Sequence, residues 1–226
     1  ADPSDEELAM IEEKIKEVYK DVFDTNLKTM KGPIVGDPMK ITLKEDAEPY
    51  ALHAARKIPL AMQDKFKEEF KKMIKDGIIK KVGNVPTEWC HQTVVTAKPG
   101  GGIQITSDLT MLNKQVKCST HPTLTPQQAI QGFKKSHKFF SKIDLLKGYW
   151  QMALDPESQK LTTTICSEGK YVYLRAPMGF ISTGDSYTYR GDVALAGLEV
   201  NKVVDDMAFG ADTYKELMKK QLKVLE

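Results

Sequence analysis

Near the start of the chain, Leu8, Ile11, Ile15, Val18 and Val22 recur at three- and four-residue steps. That period predicts an amphipathic helix, and Ser4 with Glu7 has the spacing of a capping box. From Thr29 to Pro49 the pattern breaks, with Gly32-Pro33 and Gly36-Asp37-Pro38 as turn signals. This stretch reads as a connector carrying one short strand, Met39 to Leu43, so the first helix is expected to be an appendage. A second helix is predicted after Pro59. Met62, Phe66, Phe70, Met73 and Ile74 share one face, lysines and glutamates take the other, and Gly77 supplies the stop.

From Thr93 the period changes to two. Thr93–Thr96 and Ile103–Thr106 read as strands joined by Pro99-Gly100-Gly101-Gly102. Leu161–Ile165 and Tyr171–Leu174 repeat that pattern around Ser167–Lys170. Between these hairpins, Phe139 to Asp144 is a strand ending in a carboxylate. Asp185 to Gly197 is expected to be helical, Lys202 to Phe209 a tight hairpin with two acids at its turn, and Thr213 to Glu226 a closing helix. Strands and helices mix without regular alternation, which favours an α+β fold.

With 226 residues, 41% hydrophobic and 28% charged, the chain can bury a substantial core in one large domain or two small lobes. A net charge of +2 neither predicts nor excludes nucleic-acid partners. No apolar run approaches the roughly 18–20 residues of a membrane helix, so no membrane partner is expected. Ala1-Asp2-Pro3 has no leader character and reads equally well as an expression scar. Cys90, Cys118 and Cys166 are odd in number and lack C-x-x-C spacing, which predicts reduced thiols.

The acids carry the candidate chemistry. Phe139, Phe140 and Ile143 precede Asp144, and Val203-Val204 precede Asp205-Asp206. Carboxylates at the ends of apolar strands are expected to sit in dry surroundings, where a divalent cation offsets their repulsion. Mg2+ favours a few carboxylates plus substrate phosphates, and a pair of such ions suits phosphoryl transfer. Taken alone, Asp-Asp could simply be a turn signal.

The neighbouring motifs decide between these readings. They include Asp76-Gly77-Ile78-Ile79, Pro86-Thr87-Glu88-Trp89, Lys98-Pro99-Gly100-Gly101, Asp108–Asn113, His121-Pro122, Phe140–Asp144, Gly148-Tyr149-Trp150-Gln151, Arg175–Phe180 and Val203–Asp206. In this order, from about Ala51 onward, they resemble the reverse transcriptases of long-terminal-repeat retrotransposons, especially the Gypsy-like class.

The resemblance implies a right-hand polymerase. Residues 1–48 would be an N-terminal helix and connector, 49–118 and 152–182 fingers, and 119–151 and 183–226 palm. It implies Asp144, Asp205 and Asp206 as catalytic carboxylates. These would hold Mg2+ (or Mn2+) together with the backbone of Leu145. Lys98, Gln104, Lys147, Gly148, Tyr149, Met178 and Gly179 would bind the nucleotide, with Tyr149 as the aromatic gate beneath the sugar. Implied partners are an RNA or DNA template with its primer, a dNTP, and further polyprotein regions, namely thumb and RNase H. The implied setting is the cytoplasm, including virus-like particles, or the nucleus for a domesticated copy.

Four positions depart from the family. Gln104 stands where arginine is common and loses the charge and planar fork that grip phosphate. Thr106 and Thr110 replace residues that are often Cys and Arg, and Val203 replaces an aromatic. The second expectation is therefore a weakened or inactive element-derived protein kept as a binding or interaction module.

Overall fold

The computed structural model describes residues 3–25, 34 and 36–226. The Gly32-Pro33 turn and Ala1-Asp2 lie outside the described residues. The chain divides into two compact units, one of Ala1–Gly32, His121–Gly148 and Tyr187–Glu226, the other of Pro33–Thr120 and Tyr149–Ser186.

The first unit opens with α1, Asp5–Val18, started by the expected Ser4–Glu7 capping box. Of the apolar stripe only Ile15 is buried, and Val18 remains 67% exposed. A short helix α4, Pro126–Gln131, is capped by Thr125 and Gln128. The sheet consists of β4 (Phe139–Asp144), β8 (Asp206–Ala211) and β7 (Asn201–Val203), in the order β4-β8-β7 and all antiparallel. Helix α7, Tyr214–Leu225, is capped by Thr213. Phe209, Ala211 and Leu217 form the core, with Phe139, Ile143, Val200 and Val224 packed against it.

The second unit holds a mixed sheet of β1 (Ile79–Lys81), β2 (His91–Ala97), β3 (Ile103–Asp108), β5 (Thr164–Cys166) and β6 (Gly169–Tyr173). Its order is β1-β6-β5-β2-β3, with only β2 and β5 parallel. Helix α2, Gln63–Lys75, follows a 3-10 turn at Leu60–Met62 and buries Phe66, Phe70 and Met73. Gly77 ends it at φ 66, a left-handed backbone that glycine enters without steric cost. The β2–β3 turn uses Gly100 and Gly101 at φ 87 and 86, and the Lys98 amide donates to the Gly102 carbonyl at 2.8 Å. Short helices α3 (Thr110–Lys114) and α5 (Pro156–Leu161) also belong to this unit. Helix α6, Thr183–Ala194, runs past the boundary between the two segments.

Two expected strands differ from the structure. Met39 and Leu43 bridge different partners, Leu154 and Val116, while the Ile41 amide donates to Ser158 Oγ at 2.9 Å. With its hydrogen bonds divided among three segments, this stretch builds no continuous strand. Leu161 ends α5 instead of opening a strand. Asp155 caps that helix ahead of Pro156, and Thr162 and Thr163 return their hydroxyls to the carbonyls of Gln159 and Lys160. These local side-chain bonds outcompete the strand preference of β-branched residues. Cys90 and Cys166 are buried, Cys118 is exposed, and all three are free thiols. His91 is fully buried, with Nε2 2.9 Å from the Leu161 carbonyl oxygen, and burial lowers its pKa.

Candidate functional site

The strand register brings two of the three acids side by side, because Asp144 on β4 pairs with Asp206 on β8. Asp205 lies in the two-residue turn between β7 and β8, since Val203 pairs with Asp206. The two acids therefore do not share the turn: Asp206 already belongs to β8. Val204, the other turn residue, adopts φ 53. A left-handed backbone is strained for a β-branched side chain, and such outliers concentrate at functional turns. Among the described residues Lys147 is the other non-glycine residue with positive φ, at φ 51, three residues after Asp144. The Leu145 amide donates to the Asp205 carbonyl at 2.9 Å, tying the end of β4 to the acidic turn.

The expectation of a uniformly dry acid cluster is not met. Alternation along β4 places Phe140, Lys142 and Asp144 on its exposed face, and Asp206 is 47% exposed in its side chain. Only Asp205 is substantially withdrawn from water. Its Oδ1 is buried with no hydrogen-bond partner. Burial, then the charges of Asp144 and Asp206, push its pKa up, with Lys202 opposing. Lys142 Nζ takes Asp206 Oδ1 at 2.9 Å, and this bond raises the lysine's own pKa. Among the described residues no group of three or more metal-type side chains is gathered as a ready metal cluster. The donor set nonetheless fits a hard cation, because the carboxylates are hard oxygen ligands and one of them offers a buried, unsatisfied oxygen.

The sign of the Asp205 shift gives a stability prediction. A raised folded-state pKa means that ionised Asp205 costs stability above that value, and the cost disappears below the unfolded carboxylate range, about 4. Asp205→Asn should therefore raise the melting temperature at pH 7 in EDTA. The gain should shrink to nothing near pH 3.5, and thermal melts at both pH values check this.

Gly148 begins a 3-10 turn, Gly148–Gln151. A Cβ there would lie 2.5 Å from the Tyr187 ring and hydroxyl and 2.8 Å from Asp205 Oδ1. Gly148 thus lets the chain pass directly over the buried acid oxygen. Tyr187, only 1% exposed, was not evident as a site residue. Lys142 could have been found from its spacing, two residues before Asp144 on the same strand face.

The remaining candidates belong to the second unit. Lys98 is exposed at the edge of the β2–β3 turn. Gln104 and Met178 come together, with Nε2 3.1 Å from Sδ. Gly179 adopts φ 87, and its carbonyl accepts from Asn113 Nδ2 at 2.8 Å while Asn113 Oδ1 accepts from the Ile181 amide at 3.0 Å. Asn113 therefore holds the Met178–Ile181 turn, a role its motif position did not reveal. The Tyr149 hydroxyl stands 3.6 Å from where a Cβ on Gly184 would be.

No family model matches the chain. Its homologues include an uncharacterised Caenorhabditis elegans protein, 27% identical over 217 residues, covering 94% of this chain and 16% of that protein. The Koala retrovirus Gag-Pol polyprotein is 25% identical over 208 residues, covering 84% and 12%. A retrovirus-related Pol polyprotein from the Drosophila melanogaster transposon 412 is 22% identical over 191 residues, covering 82% and 15%. The chain thus spans less than a fifth of these relatives' own length. Among solved structures, prototype foamy virus protease-reverse transcriptase matches with a TM-score of 0.83 at 20% identity, covering all of this chain and 29% of that one. The foamy viral protein in complex with RNA/DNA hybrid also matches at 0.83, with 21% identity, covering all of this chain and 30% of that one. The mixed α+β fold is that of these structures, and the homology supports a retroelement-related function. Among the described residues no helix is long and apolar enough to cross a membrane.

Proposed function

We propose that the chain is the fingers and palm of an RNA-directed DNA polymerase of the Gypsy-like retrotransposon class. The unit bearing the acids would be palm and the other fingers. The observation that carries this reading is the pairing of Asp144 with Asp206 beside Asp205, whose buried Oδ1 has no protein partner. Asp144, Asp205, Asp206 and the Leu145 carbonyl would hold divalent metal, preferably Mg2+. When bound, the metal would neutralise phosphate charge and lower the pKa of a primer 3′-hydroxyl.

The chain's own residues would do the positioning. Lys98 would approach the triphosphate as a mobile point charge, and Gln104 would hydrogen-bond it without neutralising it. The backbone amides of Lys147 and Gly148 would face the phosphates. Tyr149 would underlie the sugar and exclude a 2′-hydroxyl, while Met178-Gly179 would pack against the templating pair. Lys142 would have to release Asp206 as metal binds. Holding primer and dNTP in line would supply most of the acceleration. A thumb and RNase H in the same polyprotein, and a cytoplasmic setting that includes virus-like particles, complete the reading.

Gln104 favours one alternative, a binding module that has lost turnover, because it rests on Met178 and lacks arginine's charge. Primer extension on poly(rA)/oligo(dT) with Mg2+ separates the two. The wild-type chain should extend the primer, and Asp144→Asn/Asp205→Asn/Asp206→Asn should fall to background. Equal incorporation by both proteins would sink the catalytic assignment. Activity that appears only with Gln104→Arg would favour the module.

A further inference from the structure

Lys202 has almost no contact with water, its side chain being 4% exposed. It sits on β7, three residues before Asp205. Strand β7 is an outer strand of the sheet, only three residues long, and leads straight into the strained Val204 turn. So short an edge strand has few ladder hydrogen bonds to fix its position. Side chains supply the rest. Asn201 Nδ2 donates to the Ala129 carbonyl at 3.0 Å, anchoring β7 to α4. Lys202 Nζ donates to the Thr188 carbonyl at 3.2 Å and pairs with Asp192 Oδ1 at 3.1 Å, both on α6.

The path of Lys202 is built for it. A Cβ on Gly191 would lie 2.9 Å from Lys202 Cε and 3.2 Å from Nζ, so the side chain runs close across α6 at Gly191 and would have to shift for any larger residue there. Asp192 is braced on its far side by His121, with Nε2 to Oδ2 at 2.7 Å, and the His121 ring meets Tyr189 edge-on at 5.5 Å. Burial pushes the Asp192 pKa up, but the hydrogen bonds from His121 and Lys202 outweigh it and hold the carboxyl low. His121, marked in the sequence only by the His121-Pro122 motif, thereby gains a partner.

We propose that Lys202 is a positioning residue for Asp205: anchored through Asp192 and braced by His121, it fixes β7 on α6 and thereby the seat of the acidic turn. The placement stands on geometry alone. Its use in metal binding rests on the polymerase reading above.

Amide hydrogen exchange in the 226-residue chain tests it, because the Leu145 amide bonds the Asp205 carbonyl and reports the turn directly. Lys202→Met keeps the length of the side chain and removes the anchor. Asp192 is 44% exposed and can be hydrated in its absence. Leu145 exchange should accelerate about tenfold while amides in the middle of the β4–β8 ladder change less than about twofold, as selective local opening requires. Asp192→Asn keeps an oxygen acceptor and should give the same selective pattern at smaller size. Uniform acceleration across the unit, which is what simple loss of stability produces, would overturn the proposal. So would an unchanged Leu145 in both variants. Mn2+ titration of the same proteins is read separately. Wild type should bind and Lys202→Met should bind several-fold more weakly. A wild type that binds no better than the triple Asp→Asn protein defeats the metal reading, while the exchange result still decides the role of Lys202.

Discussion

Gly148→Ala should cost about 1–3 kcal/mol of stability, the usual range for overpacking, and should reduce primer extension by roughly a hundredfold, as misplacement of a reacting group by about 1 Å does. Conformational strain is not the cause, since Gly148 lies in a 3-10 turn that alanine can adopt. Space is the cause. The new methyl would meet the buried Tyr187 ring and Asp205 Oδ1, and neither can yield without moving the acid. Tyr187→Phe in the same background removes one of the clashing atoms and should recover part of both losses. Thermal melts and steady-state extension measure the pair. Wild-type activity in Gly148→Ala would mean that the carboxylate's place is unimportant.

The second large effect concerns the other unit. Phe70 is 2% exposed. It stacks on Phe66 at 5.6 Å and meets Tyr171 edge-on at 5.3 Å, joining α2 to the sheet. Phe70→Ala removes this joint and should cost about 3–5 kcal/mol, the range for buried aromatic truncations. At about 2–4 °C per kcal/mol for a chain of this size, the melting temperature should fall by roughly 6–20 °C. A calorimetric drop below about 2 °C would show that α2 is not held through this residue.

Long periodic segments were legible from the sequence. The α2 face, the β2–β3 hairpin with its glycine turn, the strand ending in Asp144 and the hairpin carrying Asp205 and Asp206 all follow from periods of 3.6 and 2 together with local turn chemistry. Elements set by competition were not. Thr162 and Thr163 have strand propensity, yet their hydroxyls bond the preceding helix turn. Met39–Leu43 is extended, but its pairing is divided among segments distant in sequence. The acids could be named, but not their surroundings. Apolar neighbours at Phe139 and Phe140 suggest a dry site, whereas strand alternation exposes Phe140 and Asp144 together. Gly148 belongs to a motif, but nothing in the sequence shows that it lies against Asp205 Oδ1 together with Tyr187, which no pattern marks. Lys202 was hidden for a similar reason. A lysine on a strand reads as solvated until its carboxylate partner on α6 is known.

The five-stranded sheet also governs the order in which the protein can fold. Its β1–β6 pair joins Ile79 to Tyr173, and β2–β5 joins His91 to Thr164. Between these partners the chain leaves to build part of the other unit. Neither the paired edge of β1 nor the β5-facing edge of β2 can close until residues beyond 160 are present, so closure carries a large loop entropy and should be slow. A linear fragment ending near residue 120 would display those edges unpaired, and unpaired strand edges recruit further copies. The two units cannot be separated by cutting the chain at a single bond.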